Sequence, residues 1–183
     1  LFKSRCLGLI KQMRAVGEVM SIGKNFKEAF QKAVRSLEIG RYGLGLDKKI
    51  SALPDDVLRE RISTPHSKRF FMIYEGLMRG MSADEISAMT NITRYFIQEM
   101  KEIADFEKEL ASIGFLALSD EKFKQAKIMG FSDKYLARLF NISERMVRER
   151  RLKLNIVATY RKVPFSGVKN ACYYFSTYDG SPD

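Results

Sequence analysis

The sequence contains two similar stretches of fourteen residues, and these two copies are separated by 50 positions. Residues 80–93 begin with Gly-Met-Ser, and residues 130–143 begin with Gly-Phe-Ser. Each copy predicts a short helix and a turn that lead into a longer helix. Ser82 and Ser132 are predicted to cap the short helices, and Thr93 and Ser143 the longer ones, because a side-chain oxygen can accept a hydrogen bond from the first helical turn. This is the outline of a helix-turn-helix, a unit that can place its second helix in a DNA groove.

The composition is that of a folded protein with few metal-binding side chains. Of 183 residues, 45% are hydrophobic and 30% are charged, which excludes a disordered or fibrous chain. No apolar run approaches the roughly 20 residues of a membrane span, so we expect no membrane association. Two cysteines and one histidine cannot form a zinc site or a disulfide framework. We therefore expect a cytoplasmic protein, and the first residue, a leucine, suggests a fragment of a longer chain.

The charge is distributed unequally between the two copies. The net charge of +10 suggests nucleic acid or an acidic surface as a partner. Residues 84–121, however, hold nine acidic and three basic side chains, a net charge of −6, whereas residues 131–162 hold three acidic and nine basic ones, a net charge of +6. This asymmetry favours packing of the two copies against each other, or against different partners, over binding of both copies to one polyanion.

Hydrophobic periodicity and capping signals predict a mainly α fold, an irregular multi-helix domain with two helix-turn-helix-like repeats and short β-prone segments at both ends. The first helix should begin at Asn25 and bury the face that contains Phe26, Phe30 and Val34. A second apolar helix, over 68–79, should be central. The long helix from Arg94 should turn Phe96 inward and its glutamates outward. The predicted elements are helices over 25–38, 54–62, 68–79, 94–112 and 120–129, the two repeat copies, an extended segment over 16–23, and strands over 158–163 and 171–178.

Catalytic, cofactor-binding and metal-binding residues are not indicated. Gly17 and Gly23 are spaced by one residue too many for a phosphate-binding loop, and the glycines of residues 40–45 do not follow a dinucleotide-binding pattern. His66, the only histidine, lies in a polar, proline-containing break, so we expect an exposed loop residue and not the base of a nucleophilic site.

Three functions remain open from the residues alone. The basic second copy could bind DNA, the helices could serve as a packing surface for a neighbouring domain or subunit, or the chain could be an adaptor for another protein. Arg145, Arg148 and Arg151 are the candidate interface residues, because they lie on the candidate recognition helix of the second copy.

Several segments, in order along the chain, resemble the large chain of carbamoyl phosphate synthetase. The segment 13–24, Met-Arg-Ala-Val-Gly-Glu-Val-Met-Ser-Ile-Gly-Lys, is similar to the end of that family's first synthetase half. Residues 31–38, 79–82, 91–96, 130–133 and 173–178 resemble its middle domain and the segment that follows it. One departure is Pro164, which follows Val163 where the family usually has an acidic, alanine-rich run.

The resemblance implies a non-catalytic oligomerisation or connecting domain between two ATP-grasp halves. Residues 1–24 would then be the tail of the first half, 25–160 the helical domain, and 161–183 the lead into the second half. The parent enzyme of this family makes carbamoyl phosphate from bicarbonate, ATP and glutamine-derived ammonia, for pyrimidine or arginine synthesis. Its cofactors would be ATP, magnesium or manganese, and potassium, bound outside this chain. The implied partners are the flanking halves, further copies through self-association, and a glutaminase small subunit or domain. On this interpretation nucleic acid is not a partner.

Overall fold

A computed structural model of the chain describes residues 19–163, 167 and 173–180. The elements in chain order are α1 (Phe26–Ser36), α2 (Lys48–Ser51), α3 (Asp55–Ser63), α4 (Arg69–Met78), α5 (Ala83–Thr90), α6 (Arg94–Ile113), α7 (Asp120–Ile128), α8 (Asp133–Leu139), α9 (Glu144–Lys153), β1 (Thr159–Lys162) and β2 (Tyr174–Thr177). The mainly α prediction is confirmed. The described residues form two compact units, one of residues 44–109 and the other of residues 19–43 and 110–180.

The first unit is built around α4, which is buried over most of its circumference as predicted. Its buried residues include Phe71, Ile73 and Leu77. The helices α2 and α3 both contact α4, and α3 also contacts α5. The sequence reasoning missed α2, a single turn whose start is capped by the side chain of Asp47.

The second unit combines α1 with α7, α8, α9 and a β-hairpin. Its buried apolar side chains include Val34, Leu110, Leu118, Phe123, Phe131, Tyr135, Leu136, Val147 and Ile156. The strands β1 and β2 pair in antiparallel register, with Thr159 opposite Thr177 and Lys162 opposite Tyr174. These strands lie within the predicted β-prone segments, whereas Pro164 and residues 171 and 172 lie outside the described residues.

The repeat has the same backbone geometry in both copies. Gly80 and Gly130 have φ angles of 95° and 96°, and Asn91 and Asn141 have φ angles of 56° and 52°. These left-handed conformations end the preceding helices. The predicted caps at Ser82, Ser132 and Ser143 are confirmed, because each hydroxyl accepts a hydrogen bond from the backbone N–H three residues later.

The repeat extends beyond the fourteen residues that reveal it. Met81 N donates to Gly76 O, and the equivalent Phe131 N donates to Ala126 O, both over 3.0 Å. The helices α4, α5 and α6 of the first copy therefore correspond to α7, α8 and α9 of the second, which extends the repeated unit from two helices to three.

The prediction for the buried face of α1 is confirmed for Val34 and was wrong for Phe26 and Phe30. Glu28, Gln31 and Val34 are the buried residues of this helix, whereas Phe26 and Phe30 are only half-buried. Hydrogen bonds explain the difference, since Glu28 accepts from Thr177 Oγ1 and Gln31 Nε2 donates to Met129 O. Polar groups can be buried when they are paired, and of the described buried side-chain nitrogen and oxygen atoms only Gln31 Oε1 has no hydrogen-bond partner.

Two expectations for α6 were also wrong. Glu107, predicted to face solvent, is 2% exposed and accepts a 2.6 Å hydrogen bond from the hydroxyl of Tyr74. Phe96, predicted to point inward, is 44% exposed and packs edge-on against Tyr95.

Candidate interface helix and its buried ion network

The three arginines selected from the sequence all lie on α9, but they have different surroundings. Arg145 has an 86% exposed side chain and pairs with Glu149 at 2.6 Å, one helical turn away. Arg148 is exposed. The side chain of Arg151 is only 12% exposed and pairs with Asp133. Arg145 and Arg148 are thus accessible to a partner, whereas Arg151 has an intramolecular role; the interface assignment of all three stays a prediction.

Asp133 lies between two cations inside the second unit. Its Oδ1 is 2.7 Å from Lys127 Nζ, and its Oδ2 is 2.9 Å from Arg151 Nε. Lys127, 2% exposed, also donates to Phe131 O over 2.7 Å, and Arg151 donates to Ile156 O over 2.9 Å. We call Lys127, Asp133 and Arg151 the buried triad. It ties the end of α7, the start of α8 and the end of α9 together.

The pKa values reflect the competition between burial and pairing in the triad. Burial lowers the pKa of Lys127 to about 8, although the neighbouring Asp133 opposes this shift. Burial alone would raise the pKa of Asp133, but Lys127 and Arg151 hold it below its ordinary value. Asp133 is therefore ionised at neutral pH and keeps both cations paired.

An aromatic ring covers the triad. The ring centroid of Tyr178, just after β2, lies 4.9 Å from Lys127 Nζ and 5.7 Å from the guanidinium carbon of Arg151, within reach of a cation–π interaction. Burial raises the pKa of the Tyr178 hydroxyl.

A second arginine of α9 has an intramolecular role that the sequence reasoning missed. Arg150 donates to Phe115 O over 2.7 Å and to Leu118 O, and it pairs with Asp120 at 2.9 Å. Its guanidinium carbon lies 5.1 Å from the ring centroid of Phe123. Arg150 therefore fixes the turn before α7 and the start of that helix.

The repeat contains a signal that could have revealed the triad. At an offset of 50 residues, Lys127 corresponds to Leu77, Asp133 to Ala83 and Arg151 to Lys101. Leu77 and Ala83 are 2% and 4% exposed. A lysine and an aspartate at two positions that are apolar and buried in the other copy indicate a buried ion pair.

A cavity of about 460 Å³ opens beside the triad. It is lined by cations and carboxylates together, including Lys32, Arg35, Glu28, Asp133 and Glu144. Arg35 donates to Gly130 O over 2.6 Å, and Lys32 pairs with Glu28 at 3.1 Å. Most charges lining this cavity, those of Glu28, Lys32, Arg35, Lys127 and Asp133, thus pair with one another, with Arg151 or with backbone carbonyls. In the part of the chain that the structure describes, no cluster of three or more His, Cys, Asp or Glu side chains could hold a metal ion.

The family model of the carbamoyl-phosphate synthetase large chain, oligomerisation domain, matches residues 18–155. The chain belongs to this family. The carbamoyl phosphate synthase large chain of Archaeoglobus fulgidus is 41% identical over 175 residues, which cover 92% of this chain and 16% of that protein. The N-terminal section of the large chain from Methanopyrus kandleri is 38% identical over 192 residues, which cover 96% of this chain and 34% of that protein. The arginine-specific large chain of rice chloroplasts is 39% identical over 176 residues, covering 93% of this chain and 15% of that protein.

The resemblance seen in the sequence is confirmed, and the chain spans about a sixth of the length of the full large chains that it matches. The comparisons give no support to the nucleic-acid-binding alternative. The geometry of this oligomerisation domain supplies a physical reason: two bases of α9, Arg150 and Arg151, are largely buried and paired within the chain. No helix of the described residues is long and apolar enough to cross a membrane.

Proposed function

We propose that this oligomerisation domain is a non-catalytic connector that joins the two ATP-grasp halves of a carbamoyl phosphate synthase large chain and provides a surface for self-association. The main support is that the most buried charged side chains of the second unit, which would be the candidates for chemistry, pair with one another and with backbone carbonyls. Groups engaged in this way stabilise a scaffold and are not poised to bind a substrate.

The proposed boundaries follow from the family. Residues 1–24 would come from the first half, residues 25–160 would form the connector and residues 161–183 would lead into the second half. The family model, which matches residues 18–155, supports the central part of this division. In the described residues, segment 19–24 and the β-hairpin both belong to the same compact unit as α7, α8 and α9.

The activity of the longer protein is a proposal as well. It would form carbamoyl phosphate from bicarbonate, ATP and ammonia supplied by a glutaminase subunit or domain, in the cytoplasm. ATP, magnesium or manganese, and potassium would bind in the flanking halves. The names of the relatives support this activity.

Two measurements test the connector. Sedimentation velocity of this chain over a wide concentration range should show reversible association, and a monomer at every concentration would contradict self-association through this domain. An ATP hydrolysis assay on the same material should give no activity above that of buffer, and activity that copurifies with the chain would contradict the non-catalytic role.

A further inference from the structure

Two residues of α1 and one residue just before it bond the outgoing strand β2 and the turn that follows this strand. Lys24 Nζ is 2.7 Å from Asp179 Oδ2. One turn further on, Glu28 Oε2 accepts a 3.1 Å hydrogen bond from Thr177 Oγ1. Another turn on, Lys32 Nζ donates to Ser176 O. Glu28 and Lys32 lie on one side of α1, because residues four apart share a helix face, whereas Lys24 precedes the N-cap Asn25. We call Lys24, Glu28 and Lys32 the α1 clamp.

Two members of the α1 clamp, Glu28 and Lys32, also hold the incoming segment, residues 19–24. Glu28 Oε2 accepts a second hydrogen bond, of 2.8 Å, from Lys24 N. Lys32 Nζ donates to Ile22 O over 3.0 Å, and it pairs with Glu28 at 3.1 Å. Glu28 and Lys32 therefore each contact both the segment that enters the domain and the strand that leaves it.

The inner members of the α1 clamp are shielded from water and the outer pair is not. Glu28 and Thr177 are each 1% exposed, whereas the side chains of Lys24 and Asp179 are 46% and 34% exposed. Exposed pairs contribute little and are screened by salt, while loss of one partner from a buried pair leaves an uncompensated charge. The coupling between the two segments should therefore depend on Glu28 and Lys32.

A groove lies beside the α1 clamp, and Lys32 connects its two sides. This groove, of about 500 Å³, is lined on one side by Met20 and Ile22 and on the other by Tyr174 and Phe175. Lys32 lines it too and bonds a backbone carbonyl on each side. Its ammonium group thus bridges the incoming segment and β2 across the groove.

We propose that Glu28 and Lys32 are positioning residues that lock the incoming segment to the outgoing strand, so that the two flanking parts of the longer chain leave this domain from one fixed point. The role of this lock in coupling the two halves rests on the proposed function. The lock itself depends only on the described residues. Because Glu28 and Lys32 hold both segments, loosening of one segment spreads to the other through α1.

Hydrogen–deuterium exchange in the full-length large chain tests the lock. Thr177→Val removes only the hydroxyl on the outgoing side and preserves the shape of the side chain. We expect amide exchange to rise about fivefold in residues 174–179 and also in residues 21–24, which the Thr177 side chain does not bond. Lys32→Met should produce the same paired rise. A rise confined to one segment, or none in either, would overturn the proposal.

The control is Lys101→Met, which removes another lysine from a pair at four-residue spacing. The Lys101 and Asp105 side chains are 36% and 48% exposed, so exchange in both segments should stay unchanged. Lys32→Arg keeps a charged donor at the clamp and should restore the paired protection. If Lys32→Met fails to fold, judged by circular dichroism, Thr177→Val and Lys32→Arg still decide the outcome.

The functional consequence is measured in the same proteins. With bicarbonate, ATP and ammonia, Lys32→Met should reduce the carbamoyl phosphate formed per ATP hydrolysed about threefold, and Lys32→Arg should recover it. An unchanged ratio despite faster exchange would overturn the positioning role. A wild-type protein that forms no carbamoyl phosphate would instead contradict the proposed function, and the exchange result would still test the lock.

Discussion

The ammonium group of Lys127 lies 2.7 Å from the carboxylate of Asp133, at positions where the first copy of the repeat has Leu77 and Ala83. All four side chains are buried or nearly so. The same backbone arrangement is therefore filled by apolar packing in one copy and by an ion pair in the other. A buried pair costs desolvation that an apolar pair does not, so the difference between the copies can be measured.

Removal of the Asp133 charge should be strongly destabilising. Asp133→Asn leaves Lys127 and Arg151 without their carboxylate, and we expect the free energy of unfolding to fall by about 3–5 kcal/mol in urea denaturation followed by circular dichroism. Glu149→Gln, which breaks the exposed pair with Arg145, should cost less than about 1 kcal/mol. Equal losses in the two variants would show that the triad does not stabilise the second unit.

Stability should rise with pH above about 8 because of Lys127. Its pKa is about 8 in the folded chain, below the ordinary value of about 10.4. Between these values the unfolded chain binds more protons than the folded chain, so the free energy of unfolding increases with pH. Below pH 8 the full cost of burying the charge remains.

The measurement compares the free energy of unfolding of the wild type with that of Lys127→Met between pH 7 and 9.5. This range lies below the pH at which ionisation of tyrosines dominates the pH dependence. The wild-type free energy of unfolding should gain about 2 kcal/mol over this range relative to the variant. Parallel curves for the two proteins would contradict the assigned pKa.

Arg150 should matter for stability far more than its neighbour Arg148. Arg150→Met removes the donors to Phe115 O and Leu118 O and the pair with Asp120, so we expect a loss of about 2–3 kcal/mol and faster amide exchange at the start of α7. Arg148→Met, a change of the same size on the same helix at an exposed position, should change stability by less than about 0.5 kcal/mol.

The sequence predicted the features that depend on residues nearby in the chain. It did not predict the features that depend on residues far away in the chain. The cap at Ser132 and the turn at Gly130 follow from local hydrogen bonding and backbone conformation, and both are confirmed. The buried polar face of α1 could not be predicted, because the partner of Glu28 is Thr177, 149 residues away. Likewise, Glu107 is buried because Tyr74, on another helix, donates to it.

The candidate interface could be predicted only in part, for the same reason. Charge and periodicity placed Arg145, Arg148 and Arg151 together on α9, but they do not tell an exposed base from a paired one. Arg151 is held by Asp133, which begins α8. The comparison of the two copies reveals the pair of Lys127 and Asp133 but does not single out Arg151, because the equivalent residue of the first copy is also a base, Lys101.

If the exposed face of α9 takes part in self-association, reversing its charge should weaken the contact. Arg145→Glu combined with Arg148→Glu should raise the dissociation constant at least about tenfold, measured by sedimentation equilibrium at about 0.1 M salt. The control is Lys48→Glu combined with Lys49→Glu, an equal charge change at exposed positions on α2. An equal effect of both double variants would indicate a response to net charge and would remove α9 from the interface.

Alanine substitutions at the two glycines of the repeat distinguish the cost of backbone strain from the cost of altered packing. Gly80 and Gly130 have nearly the same φ angle, 95° and 96°, so an alanine at either should pay a similar conformational cost, about 1 kcal/mol or more. A Cβ at Gly80 would meet no atom within 4 Å, whereas a Cβ at Gly130 would lie 3.1 Å from Gln31 Cβ and 3.2 Å from Glu28 Cα. Gly130→Ala should therefore be more destabilising than Gly80→Ala by about 1–3 kcal/mol.

The greater effect of Gly130→Ala should also be seen in residues far from the substitution. The new methyl group would push against the turn of α1 that holds Thr177. Amide exchange in residues 174–179 should increase in Gly130→Ala and stay at the wild-type rate in Gly80→Ala. If the two alanine variants lose equal stability, then α1 can move away from the second repeat at little cost, and the close approach of Gly130 to Glu28 and Gln31 does not hold α1 in place.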